Sequence, residues 1–467
     1  MKPIPLLLAP LLLFATTRAQ NAIGRGPVAG LYNQHCAVCH GRNGEGGLGG
    51  SLISGEWQHA DTDEAKARVI REGLPDLGMQ GFDDTLDAEQ IRALVIYMRE
   101  LKTLADDDKG PRVNNDIHET EKLSYKLERI AENPSRMWSV DFLPDGRYLI
   151  TEIDGALRFV DTDGTLREPV ADTPDIVRHG QGGLLDVALH PDYADNGWVY
   201  LVYARGEGRN AMTSLVRGRV KDNRWIDHQD LFVAEPEDRR RAGVHFGSRI
   251  VFRDGYVFFS IGDRGAKPQA QSLDTPNGKI HRLHDDGRVP DDNPFIGETP
   301  YESIWSYGHR NPQGLAIHPD TGELWSTEHG PRGGDELNLI LKGRNYGWPE
   351  VTFGMNYGGT PITEHTSLPG MEPPVWHWTP SIATCGLAFA DGDAYPAWDG
   401  DLLAGGLAAQ VLERLRVRDG KMIEREVLLK NAGRVRDVAT APDGVLHLIL
   451  EAQGSTLVRL VPIDASK

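Results

Sequence analysis

Cysteine is scarce in this chain, with three among 467 residues. Cys36 and Cys39 stand close together and Cys385 stands alone, so no framework of internal disulfides holds the fold. Cys385 lies in the apolar stretch from Ile382 to Phe389 and reads as a small buried hydrophobe. Long apolar runs are missing after the first residues. There, Lys2 gives a positive start, Leu6 to Phe14 an apolar core, and Thr17-Arg18-Ala19 a small-residue end before Gln20. That pattern predicts a cleavable export signal over residues 1–19, too short to span a bilayer. With no later spanning segment, the mature chain is expected to be soluble. Positive charge is in deficit: 50 Lys and Arg against 68 Asp and Glu give a formal net charge of −18. This argues against nucleic acid or anionic membrane as partner and points to no particular substrate.

What the chain does have begins at Cys36-Ala37-Val38-Cys39-His40. C-x-x-C-H is the attachment run of a c-type haem: two thiols one helical turn apart add to the porphyrin vinyl groups, and the next histidine lies under the iron. Such haem is attached after export, so a bacterial periplasm is the expected compartment. Helical spacing predicts elements over Ala65–Glu72 and Asp87–Leu101, the latter with Ile91, Leu94, Val95, Met98 and Leu101 on one face and Asp87 as its cap. The second axial ligand is Met79, in a loop, or Met98, on the apolar helix face; the loop methionine is preferred because helix methionines usually pack in the core. Haem run, loop methionine and final helix, in that order, resemble a class I cytochrome c, placed here at residues 20–105.

Residues 106–117 are polar and broken by Gly110-Pro111, and read as a linker. About fifteen flexible residues span roughly 20 Å, from about 5–6 Å times the square root of length. A tether of that reach gives an effective concentration on the order of millimolar.

From 118 to 467 the chain repeats itself. Leu143-Pro144-Asp145-Gly146, His190-Pro191-Asp192-Tyr193, Arg253-Asp254-Gly255, His318-Pro319-Asp320 and Ala441-Pro442-Asp443-Gly444 each lead into a β-rich run, and a further unit fits around Trp398-Asp399-Gly400. Radially repeated sheets are the economical solution, so an all-β six-bladed propeller is expected to follow the small all-α cytochrome domain. The His-Pro-Asp runs read as turn chemistry.

Five loops set polar or charged groups beside glycine: Gly180 to Leu185, Val244 to Arg249, Gly308 to Gly314, Glu328 to Glu336 and Gly433 to Asp437. Arg434 and Arg436, two apart on a strand, point one way and suit a polyanion. These motifs, in this order from about Ile117 to Leu460, resemble the glucose/sorbosone dehydrogenase family of aldose sugar dehydrogenases that use pyrroloquinoline quinone (PQQ). The resemblance implies His245 as catalytic base, Arg310 as the group stabilising the reacting oxygen, and Gln181 as a sugar contact. It implies Asn311, Ser381, Arg434 and Arg436 as PQQ contacts, and the carbonyls of Gly330 and Pro331 as ligands of a calcium ion that holds PQQ. Glu336 and the carbonyl of Tyr346 match a separate structural calcium site.

The chain departs from the best-known member at Val244 (aspartate there), at Ala408 or Ala409 (lysine) and at His329 (glutamine). The implied activity is oxidation of an aldose at C1 to a lactone, with electrons passing to the haem and on to an external acceptor such as a periplasmic cytochrome. A calcium-dependent propeller lactonase and a non-catalytic sugar-binding propeller with a cytochrome module are the alternatives.

Overall fold

The computed structural model describes residues 27–53, 60, 62–106, 113, 116–356, 360–452 and 454–463. The expected export signal and most of the expected linker lie outside the described residues.

The N-terminal domain is helical. Helix α1 (Pro27–His35) leads through Cys36 into the single turn α2 (Ala37–His40). The loop that follows folds back under His40, whose Nδ1 lies 2.8 Å from the Gly50 carbonyl oxygen. Gly49 makes this possible: a Cβ there would sit 2.7 Å from the imidazole. Helix α3 (Asp63–Glu72) starts where Thr62 Oγ1 accepts from the Ala65 amide at 3.1 Å. Helix α4 (Ala88–Asp106) carries a reciprocal cap, as expected from Asp87. Gln90 N donates to Asp87 Oδ1 at 2.8 Å and Asp87 N donates to Gln90 Oε1 at 2.9 Å, satisfying two end amides at once. The predicted apolar face of α4 is buried, with Ile91, Leu94, Val95, Met98 and Leu101 packed beside Tyr32 and Phe82. Ala93 and Ile96, outside that stripe, are buried as well, because the other side of α4 lies on the second domain.

The second domain is a six-bladed propeller, one antiparallel sheet per blade. The blades begin at Met137, Leu184, Ile250, Pro312, Thr384 and Arg434, and the first strands of successive blades touch in a closed ring around the channel. Each turn singled out in the sequence joins a blade's first strand to its second. Observed second strands are Tyr148–Glu152, Val199–Glu207, Tyr256–Ile261, Leu324–Glu328, Leu402–Gly406 and Leu446–Ala452. The unit near Trp398 is the fifth blade. In the His-Pro-Asp turns the ring nitrogens are used locally: His190 Nδ1 accepts from Asp192 N at 2.9 Å, and His318 Nδ1 from Asp320 N at 3.2 Å. Closure comes from the chain ends. Strand Ser124–Asn133 pairs with Gly454–Ile463 in the sheet that also holds Arg434–Thr440. Among the described residues, no helix is long and apolar enough to cross a membrane.

Candidate active site and haem site

At the haem run Cys36 and Cys39 flank one helical turn without a disulfide between them, and Cys39 is exposed. With Nδ1 turned to the Gly50 carbonyl, His40 keeps Nε2 available for iron, since a ligand imidazole is oriented by the bond its other nitrogen makes. Met79 is held in its loop by a backbone bridge to Leu74 and is half-buried at the edge of the apolar cluster, whereas Met98 is 4 % exposed inside it. The surroundings therefore fit covalent haem with Met79 as second ligand.

On the propeller, His245 sits at the entrance to the third blade with a left-handed backbone (φ 53°). Its amide donates to Gln181 Oε1 at 2.7 Å, which joins two of the predicted residues directly. Its Nδ1 lies 2.6 Å from Asp263 Oδ1. Asp263 answers what orients the imidazole where Val244 replaces an aspartate: it comes from the loop after strand Tyr256–Ile261. The sequence signal was present in Gly262-Asp263-Arg264-Gly265, a charged, glycine-flanked loop of the same kind as the five singled out. Gly262 permits the approach, because a Cβ there would meet the His245 carbonyl at 2.4 Å. Asp263 is fully buried and also accepts from Trp348 Nε1 at 2.8 Å and Gly265 N at 2.7 Å.

Burial lowers the His245 pKa below the usual histidine value, and the Arg310 charge lowers it further against the pull of Asp263. Burial works to raise Asp263, but the His245 hydrogen bond and charge hold its carboxyl below the ordinary range. The pair is thus a neutral imidazole donating from Nδ1 to a carboxylate, with the Nε2 lone pair outward. Arg310 completes the cluster. Its amide donates to Glu328 Oε2 at 2.6 Å, its Nη1 donates to the His329 carbonyl at 2.8 Å, and its guanidinium lies 5.3 Å from the Trp348 ring centre. Asn311 is fully buried and accepts from Gly247 N through Oδ1 at 3.0 Å.

The loop from Glu328 to Glu336 is organised by Asp335, which no motif in the sequence marks out. It accepts from Gly330 N at 2.8 Å and from the Ser381 hydroxyl at 2.7 and 2.8 Å, and burial pushes its carboxyl up to about 6. Ser381 and the Gly330 amide thus share one carboxylate, and the Ser381 proton is given to Asp335. Arg436 forks onto buried Glu451 at 2.7 and 3.2 Å, and Arg434 lies 3.8 Å from the same carboxylate. The two arginines do share a direction, but a side chain of this chain already takes the fork of Arg436. Cys385 is fully buried and donates to Gln313 Oε1 at 3.3 Å. Contrary to a purely apolar reading, Arg249 and Arg436 donate to its sulfur at 3.8 and 3.6 Å.

Among the described buried donors without a partner at this place are Arg310 Nε and Asn311 Nδ2. Unsatisfied buried donors are costly, so they fit a ligand rich in acceptor oxygens, as a quinone tricarboxylate is. Glu336 and Tyr346 line one small cavity. Burial raises Glu336 well above the ordinary range and the nearby Glu328 adds to the shift. A hard cation suits such a carboxylate pair. Between α3, α4 and the fifth blade lies a cleft of about 700 Å³ that reaches Ser381, Ala408 and Ala409.

Residues 132–459 match the family described as Glucose / Sorbosone dehydrogenase. The chain belongs to that family of PQQ-dependent sugar dehydrogenases. Residues 27–98 match the family Cytochrome C oxidase, cbb3-type, subunit III, so the family member here carries an N-terminal cytochrome c domain. The chain is 41 % identical over 348 residues to the aldose sugar dehydrogenase YliI of Escherichia coli (strain K12), covering 73 % of this chain and 93 % of that protein. It is 26 % identical over 419 residues to quinoprotein glucose dehydrogenase B of Acinetobacter calcoaceticus, covering 71 % and 86 %. The PQQ-bound aldose sugar dehydrogenase of Streptomyces coelicolor superposes with a TM-score of 0.61 at 26 % identity, covering 76 % of this chain and 100 % of that one.

Proposed function

We propose that this family member oxidises aldoses at C1 to lactones in the periplasm, using PQQ and calcium, and passes the electrons through its own haem to an external one-electron acceptor. The observation that carries the reading is the His245–Asp263 pair at 2.6 Å with Arg310 beside it. When bound, PQQ supplies the two-electron oxidant, calcium a Lewis acid and the haem a one-electron store.

The residues of the chain have separable tasks. His245 Nε2 takes the proton of the sugar's C1 hydroxyl, as a base that is neutral at working pH. Asp263 holds the opposite nitrogen, so the lone pair faces the substrate and the imidazolium is stabilised once formed. Arg310 faces the oxygen on which negative charge develops. Gln181 fixes the His245 backbone through Oε1, which leaves its amide NH₂ to donate to a sugar hydroxyl. Asn311, Arg310 and Arg434 would supply donors to the quinone's oxygens, Arg436 being held by Glu451, and the Gly330 and Pro331 carbonyls would supply hard ligands to its calcium. Glu336 and the Tyr346 carbonyl hold the second ion. Each lactone formed releases two electrons and two protons, and ferric haem takes one electron at a time, so two one-electron acceptors are consumed per sugar. Export by residues 1–19 would bring the chain to the compartment where haem c is attached.

Stopped-flow mixing of the PQQ- and calcium-loaded chain with a panel of aldoses tests the reading. Haem reduction at the rate of sugar loss is expected. Haem that stays oxidised while sugar is consumed removes the relay, and aldoses left intact remove the dehydrogenase.

A further inference from the structure

The side of α4 that carries Ala93 and Ile96 is buried although no sequence periodicity calls for it. Ala93 is 0 % and Ile96 2 % exposed. What covers this side is the propeller segment that includes Gly330 and Pro331. Arg332, the next residue, adopts a left-handed backbone (φ 47°) that a side chain rarely takes. Its Nη2 donates to the Ala93 carbonyl at 3.3 Å and to Glu100 Oε2 at 3.1 Å, and the arginine side chain is only 3 % exposed. Ile96 Cδ1 lies over Gly333, within 3.8 Å of where a Cβ would be. A second segment joins in. The Arg92 guanidinium donates to the Phe353 carbonyl, and Met355 packs inside the cytochrome's own apolar cluster. Met355 is tied back to the same loop, its amide donating to the Pro331 carbonyl at 2.9 Å.

Domains on a flexible tether move relative to one another unless the contact between them is well packed. Here the contact holds a partly buried ion pair, two side-chain-to-backbone bonds and a propeller methionine packed into the cytochrome's core. We infer that Arg332 and Met355 form a socket for α4, so that the cytochrome is docked on the Gly330–Pro331 loop and does not roam on its linker. Arg332, Glu100 and Ile96 are positioning residues: they act by setting where the haem domain stands relative to the loop. The docking stands on contacts within the chain; its effect on electron flow rests on the function proposed above.

The docked state has a signature that a tethered encounter lacks. Exposed charges are screened by salt, whereas a partly buried pair is screened much less, so haem reduction in the native chain should change little with ionic strength. Two variants on the cytochrome side test the socket in the full-length chain, Glu100→Arg and Ile96→Asp, with the haem spectrum reporting that the domain is folded. Hydrogen–deuterium exchange should show protection falling together in residues 92–101, 330–335 and 353–355. Sugar-dependent reduction of a soluble dye should be retained, while haem reduction by sugar slows at least tenfold and becomes salt-dependent. Unchanged exchange at 330–335 in both variants overturns the docking, and unchanged haem reduction despite altered exchange overturns the positioning role. Absence of dye reduction by aldoses in the native chain would remove the dehydrogenase reading, while the exchange experiment would still decide the docking.

Discussion

At the scale of single residues the chemistry depends on one proton and its holder. His245 works as a base only when neutral, and burial together with Arg310 keeps its pKa below the usual histidine value of about 6.5. A base with a lowered pKa stays competent as pH falls, so the acid limb of kcat is expected below pH ~6.5. Replacing Arg310 by Met removes a charge that opposes protonation. The limb should then move to higher pH, and kcat should drop by about 10²–10³-fold because nothing then stabilises the developing oxyanion from that side. A pH–rate profile of this variant checks both, and a limb moving the other way would exclude the electrostatic link. Asp263→Asn keeps the shape but frees the imidazole to take the wrong tautomer. A fall in kcat of about 10²–10⁴-fold with little change in KM is expected, and steady-state kinetics with a dye acceptor measure it. His245 was recognisable from a motif in the chain. Asp263 sits in a loop of similar composition, but its role is set by a 2.6 Å contact across two loops that sequence order does not announce.

Among the elements, the helices of the first domain could be read closely. Asp87 caps α4 where the sequence places it, α3 starts at Asp63 under a Thr62 cap, ahead of the predicted Ala65, and the apolar period of α4 gives its inward face. Met79 was separable from Met98 because a helix-face methionine has a better use in the core. Met79→Ala should leave the haem attached but convert it to a high-spin form with a lower potential, as optical spectra and a redox titration would show. The loop elements were only half legible. The Glu328–Glu336 segment could be picked out by its composition, yet Asp335, its organiser, looks in sequence like any loop carboxylate. If Glu336 and Tyr346 hold a cation, chelation should lower the melting temperature by several degrees and added calcium should restore it. A melting curve indifferent to chelator would remove that ion.

On the scale of the molecule, ring closure couples the two ends of the propeller. Strand Gly454–Ile463 lies between Ser124–Asn133 and Leu446–Ala452, and Leu457, Val458 and Leu460 on it are fully buried. Burial of three such side chains contributes about 5–9 kcal/mol, comparable with the whole stability of a typical domain. Truncation after residue 453 should therefore abolish the cooperative thermal transition of the propeller, followed by circular dichroism, and an unshifted transition would show that closure lies elsewhere.

The sequence by itself determined the local and the periodic: the C-x-x-C-H run, the caps, the helix face, the six turn-and-strand units and the family they resemble. Each rests on residues near in the chain, where spacing dictates geometry. Only the tertiary structure decided which distant groups meet: Asp263 under His245, Glu451 in the fork of Arg436, and Arg332 against α4. These pairings belong to buried charges, whose partners are chosen by the desolvation cost of standing alone, and that choice is made only when the blades and the cytochrome have closed around them.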